Sequence, residues 1–154
     1  MASKKELVEK ARKLGYDYLH IYLECAPTTL LAVSDTLDMK VSDETFNASI
    51  GLSGYSGGCG GICGGTAAAG LYFGTTKEEY EAEPDSSKIR QAAEYIQDKF
   101  VETYGSFLCD DIRLKLFGRL EDVPKSEYER ECPLVTENAA GWAVEAILAT
   151  KNNI

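Results

Sequence analysis

The chain has little of what most functional classes require. Its 154 residues include one histidine, one tryptophan and four prolines, and no apolar run approaches the roughly 20 residues of a membrane span. The lone His20 has no nearby partner with which to form a Cys–His or Ser–His–Asp arrangement. Basic residues are outnumbered, 16 Lys and Arg against 25 Asp and Glu, for a net charge of −9. That deficit argues against nucleic acid, whose binding rests on phosphate neutralisation, and against adhesion to anionic membranes. An acidic surface suits solubility, or docking to a basic partner. The first residues, "MASKKELVEKARKLGYDY", carry no apolar signal core, so the expected compartment is the cytoplasm.

Several motifs are also missing. No C-x2-C pair suggests a zinc ribbon or ferredoxin, and no C-x-x-C-H suggests covalent haem. No glycine loop ends in Lys followed by Ser or Thr, and none follows a buried strand, so no nucleotide is expected. Repeats and low-complexity tracts are absent, and one domain over 1–154 is expected.

What is present is helical periodicity. "SKKELVEKARKLG" opens on a capping box, Ser3 with Glu6, carries Leu7, Ala11 and Leu14 on one stripe, and meets a stop at Gly15. "CAPTTLLAVSDTLDM" places Pro27 in a first turn, and "SDETFNASIGLSG" is a short helix capped by Ser42 or Asp43. "DSSKIRQAAEYIQDKFVETYG" is the clearest amphipathic helix and ends at Gly105. "CDDIRLKLFG" closes at Gly118, and "CPLVTENAAGWAVEAILA" starts with Pro133 near its first turn and buries Leu134, Val135, Ala139, Trp142, Ala146 and Ile147. The stretches 75–85 and 119–127 read as charged linkers. The expected fold is all-α, an irregular bundle of about seven helices.

Most of the 14 glycines crowd into "GLSGYSGGCGGICGGTAAAGLYFG", residues 51–74. Glycine inside a helix costs roughly 1 kcal/mol against alanine, so something must offset it. Gly61, Gly65 and Ala69 recur every four residues, widened by Gly64 and Ala68, a smooth face that lets another backbone approach closely. The same stretch holds Cys59 and Cys63, two of five cysteines; the others are Cys25, Cys109 and Cys132. In a reducing compartment an odd number of scattered cysteines is no disulfide framework. Cys63 falls in the first turn of a helix, where free N–H groups lower a thiol pKa, while Gly60, Gly61 and Gly64 leave backbone donors open around sulfur. Cys25, Cys109 and Cys132 also fall at expected helix starts, so the thiols could converge without a local motif.

These residues resemble the redox-active proteins named for a C-GCAxxG-C-C cysteine pattern. Cys25 in "ECAPTTLLAV" looks like the first cysteine, Cys63-Gly64-Gly65 like the central core, and Cys109 and Cys132 like the last two, over about residues 20–149. Gly65 stands where the pattern has Ala, and Cys59 is additional: a further ligand, a resolving thiol or a bystander. The resemblance implies a helical, cysteine-dependent redox or metal protein, and a similar module in split-Soret cytochromes is associated with an iron–sulfur centre. The leading expectation is therefore an electron-transfer module binding an iron–sulfur cluster or another thiophilic metal through Cys25, Cys63, Cys109 and Cys132, with a redox partner protein. The alternatives are a thiol–disulfide protein reacting at Cys63, and a helical interaction module with structural cysteines. A homodimer through the small-residue face or the tyrosine-rich surface is a further expectation.

Overall fold

A computed structural model describes residues 1–54 and 57–152; Tyr55 and Ser56 of the glycine stretch lie outside the described residues. Eight helices follow one another among them: α1 (Lys4–Tyr22), α2 (Cys25–Thr36), α3 (Asp43–Ile50), α4 (Gly60–Phe73), α5 (Lys77–Ala82), α6 (Ser87–Tyr104), α7 (Cys109–Phe117) and α8 (Lys125–Asn152). The described residues form no strand, and Gly58 and Leu108 make one isolated antiparallel bridge. The fold is all-α, as expected, with one helix more than expected. The addition is α5, inside the 75–85 stretch, started by a capping box in which Thr76 and Glu79 satisfy each other's backbone N–H groups.

Two helix boundaries differ from expectation. Gly15 does not stop α1, which runs on to a left-handed cap at Leu23 (φ 61°). Instead Gly15 is the point where α1 crosses α8: a Cβ there would stand 2.5 Å from the Thr136 carbonyl oxygen. That carbonyl-to-backbone approach leaves no room for any other residue, and the Thr136 hydroxyl donates back to the Gly15 carbonyl at 2.8 Å. Likewise α8 does not begin at Cys132. It begins at Lys125 and runs through Pro133, whose ring removes one helical hydrogen bond without ending the helix. The preceding "KSEYERE" is rich in good helix formers, which carries the helix upstream.

The core lies where α4 is clasped by α2, α6 and α8. The small-residue face expected of 61–69 forms, and it is filled from within the chain. A Cβ on Gly61 would lie 2.9 Å from that of Ala139, and one on Gly65 3.1 Å from that of Ala143, both on α8. Phe100 and Ile96 of α6 close over the same two glycines, and both are fully buried. On the other side Gly64 meets α2 so closely that a Cβ would stand 2.2 Å from the Ala26 carbonyl oxygen. The glycine cost is thus offset by backbone contacts that no larger residue permits. Leu134, expected in the core, faces outward at 45% exposure, because the buried stripe of α8 passes through Pro133, Val135 and Thr136 instead. No described helix is long and apolar enough to cross a membrane.

Candidate thiol site

The cysteines are brought together by local devices that differ from one to the next. Cys25 is the first residue of α2, and the following N–H, that of Ala26, is capped by the Ser53 hydroxyl at 3.2 Å. Cys59 is the N-cap of α4. Cys63 lies one turn further along. Cys109 opens α7, and Cys132 lies inside α8. Four of the five therefore sit at helix starts, and Cys132 is the exception, because α8 begins upstream of it.

The bridge between the loop before α4 and the loop before α7 sets the register of two of these thiols. The Cys59 N–H donates to the Phe107 carbonyl, and the Cys109 N–H donates to the Gly57 carbonyl, each at 2.9 Å. Gly58 and Leu108 pair directly, so the residues on either side of them point to the opposite face. Cys59 and Cys109 therefore share that face. Gly54 comes up against it: a Cβ there would lie 3.3 Å from the Cys109 sulfur, and its φ of 84° already favours glycine. Gly60 lies against Cys25 in the same way, its Cβ position 2.8 Å from that of Cys25.

The thiols influence one another unevenly. Burial pushes the Cys25 thiol well up, and ionised Cys59, Cys132 and Cys109 would each push it further. Burial takes Cys59 to about 12; the N–H groups of Gly61 and Ile62 point toward its sulfur without closing a full cap bond and pull the other way, while Cys109 and Cys63 raise it. Cys132 rises to about 11, through burial first and then Cys109, with the Arg113 guanidinium pulling down. Cys109 is raised by burial, again against Arg113. Cys25, Cys59 and Cys132 are thus each raised by at least one other thiol of these four. Cys63, raised by burial, lies at the edge and acts on Cys59.

The sequence points to Cys63 beside Cys25, Cys109 and Cys132, with Cys59 as a possible further member; the charge that acts on Cys25 comes from Cys59, while Cys63 acts on Cys59. Of the glycines singled out as open donors, Gly61 turns its N–H toward the Cys59 sulfur, while Gly60 and Gly64 pack against α2. The helix start does not make Cys63 acidic, because its burial outweighs the N–H at its own position. All five cysteines are free.

Tyr104 of α6 borders the same group. Its hydroxyl accepts from the Asn138 side-chain amide at 3.0 Å, and Asn138 in turn accepts from Arg12 at 2.7 Å. Burial raises the phenol, and a charge on Cys59 would raise it further. Neither Tyr104 nor Arg113 carries a sequence motif that would have marked it.

The comparisons with known proteins also turn on cysteines. A family model described as "Putative redox-active protein (C_GCAxxG_C_C)" matches residues 23–146, from just before Cys25 to beyond Cys132. The chain belongs to this family. A relative in Archaeoglobus fulgidus, described as an uncharacterized protein, is 28% identical over 142 residues, spanning 87% of this chain and 91% of its own length. No solved structure matches significantly. For the iron–sulfur centre that the family likeness brings to mind, the donor chemistry is suitable, because soft thiolates select such metals. The spacing is not: among the described residues no three His, Cys, Asp or Glu side chains stand together in a way that could hold a metal ion.

Proposed function

We propose that the protein is a thiol–disulfide redox protein whose reacting atoms are the sulfurs of Cys25, Cys59, Cys109 and Cys132. The observation that supports this most is that free thiols from four separate segments lie near enough for charge to be felt between them, Cys59, Cys109 and Cys132 acting on Cys25 and Cys109 acting on Cys59 and Cys132. Cys109 is the entry point, as a partly exposed thiol one turn before a cation, Arg113, on α7. Its sulfur attacks one sulfur of a partner's disulfide, forming a mixed disulfide and releasing one partner thiolate. A second thiol of the group, Cys132 being the one whose charge acts on Cys109, then attacks the Cys109 sulfur and releases the other partner thiolate. The protons lost by the two cysteines pass to the two departing sulfurs. In total two thiols here become one disulfide while one partner disulfide becomes two thiols, two electrons having moved.

The raised thresholds make this a slow exchanger at neutral pH, since only the thiolate attacks. The test is equilibration in buffers of graded thiol–disulfide ratio under anaerobic conditions, counting free thiols and measuring iron, sulfide and zinc in the same samples. Loss of two thiols in one cooperative step supports the reading. Five thiols that stay reduced throughout, in a metal-free protein, would sink it, and stoichiometric iron and sulfide would replace it with a cluster-based one.

A further inference from the structure

Arg113 is the one cation found to act on Cys109 and Cys132. It stands four residues after Cys109 on α7, one turn along the same face. Its guanidinium crosses to α8 and donates to the Tyr128 hydroxyl, and Tyr128 stands four residues before Cys132, again one turn away. The side chain is thus strung between the turn that bears one sulfur and the turn that bears the other. Three further contacts hold it there: the Leu120 carbonyl at 2.9 Å, the Asp110 carboxylate at 3.5 Å, and the Tyr128 ring, whose centroid lies 5.4 Å from the guanidinium carbon. Its Nε–H remains buried with no acceptor. A buried donor with no partner is costly, and an anion forming beside it would relieve that cost.

We propose that Arg113 is a positioning residue of the thiol site, the counter-charge that holds the sulfur anion formed at Cys109 or Cys132 during exchange. It deepens the exchange reading and rests on it for the purpose of that anion. The other charged groups that act on these two sulfurs are Asp110 on α7, Glu131 on α8 and the remaining thiols, all of which oppose ionisation. Arg113 alone favours it. Cys63, with no cation acting on it, is the internal control.

The test uses the full chain and the neutral reagent iodoacetamide, with modification at Cys109 and Cys63 followed separately by peptide mass mapping. Arg113→Gln should slow Cys109 several-fold, since less of it is thiolate without the cation, and leave Cys63 unchanged. Arg113→Lys, which keeps the charge, should restore most of the lost rate. A structural role would instead open the site and speed both cysteines. Cys109 reacting at the wild-type rate or faster in Arg113→Gln, or Cys63 slowing in parallel, would overturn the proposal. Should Arg113→Gln fail to fold, Tyr128→Phe loosens the same guanidinium; it should slow Cys109 alone, and an unchanged Cys109 rate overturns the proposal equally. A Cys109-specific effect in a chain that forms no disulfide would support the counter-charge while the exchange reading failed.

Discussion

Helix α4 joins two regions built on opposite rules. Along its body, glycine and alanine let α4 come into close contact with α2 and α8. At its start, the chain gathers thiols, a half-buried guanidinium and a phenol, with two loops joined by a pair of backbone hydrogen bonds. The first region is specified by shape and rejects added atoms. The second is specified by charge, and its sulfurs stay protonated because burial and their neighbours keep them so. The difference teaches that the glycine-rich stretch is not one motif: its middle makes contact with neighbouring helices, and its beginning makes a chemical site.

The largest effect is expected from breaking the contact rule. Gly64→Ala would drive a methyl into the Ala26 carbonyl, which is backbone and cannot swing away, and should cost about 3 kcal/mol or more. Urea unfolding checks it, and Gly70→Ala is the contrast. Gly70 has open space around its Cβ position in the same helix, so alanine there should stabilise by about 0.5–1 kcal/mol. Equal effects at the two positions would dissolve the distinction.

Alkaline pH breaks the other region. Cys25, Cys59 and Cys132 hold their protons more tightly folded than at the ordinary value of 9.0, Cys132 to about 11 and Cys59 to about 12. Their stabilisation is therefore fully present below pH 9.0 and is lost as pH rises from there through about 11 to 12. The urea midpoint should fall steadily above pH 9.0, and Cys59→Ser should flatten that fall. A midpoint that is level up to pH 10.5 would show that burial does not hold these protons. The smallest effect belongs to neither region. Thr76→Ala removes the cap of the exposed helix α5 and should cost about 1 kcal/mol of local helix, read as faster amide exchange over 77–82 with an unchanged global midpoint.

The helices themselves were legible in the sequence because their cues are local. The capping box of Ser3, the Ser42 cap and the glycine stops at 105 and 118 all stand where expected, the two glycines at φ 78° and 70°. Gly15 was misread because a glycine that stops a helix and one that admits a crossing helix look alike until Thr136, over a hundred residues away, is in view. Pro133 was misread as a helix start because a proline within a helix leaves the same local trace. At the site, the cysteines could be named from the sequence but not grouped. Whether Cys59 or Cys63 joins the others depends on the bridge between Gly58 and Leu108, a pairing of two loops with no strand pattern. Arg113 was hidden for the same reason, since its neighbours Leu120 and Tyr128 come from beyond its own helix.

The central claim, that the thiol end of α4 gives up two electrons by closing a sulfur–sulfur bond, is tested most directly by mapping which cysteines pair. The protein is oxidised anaerobically with a small disulfide, its free thiols are blocked at acid pH, and its peptides are sequenced by mass spectrometry. The account predicts one intramolecular disulfide drawn from Cys25, Cys59, Cys109 and Cys132, with Cys63 blocked as a free thiol. A bond between Cys59 and Cys63, or no intramolecular bond at any oxidant concentration, would contradict it.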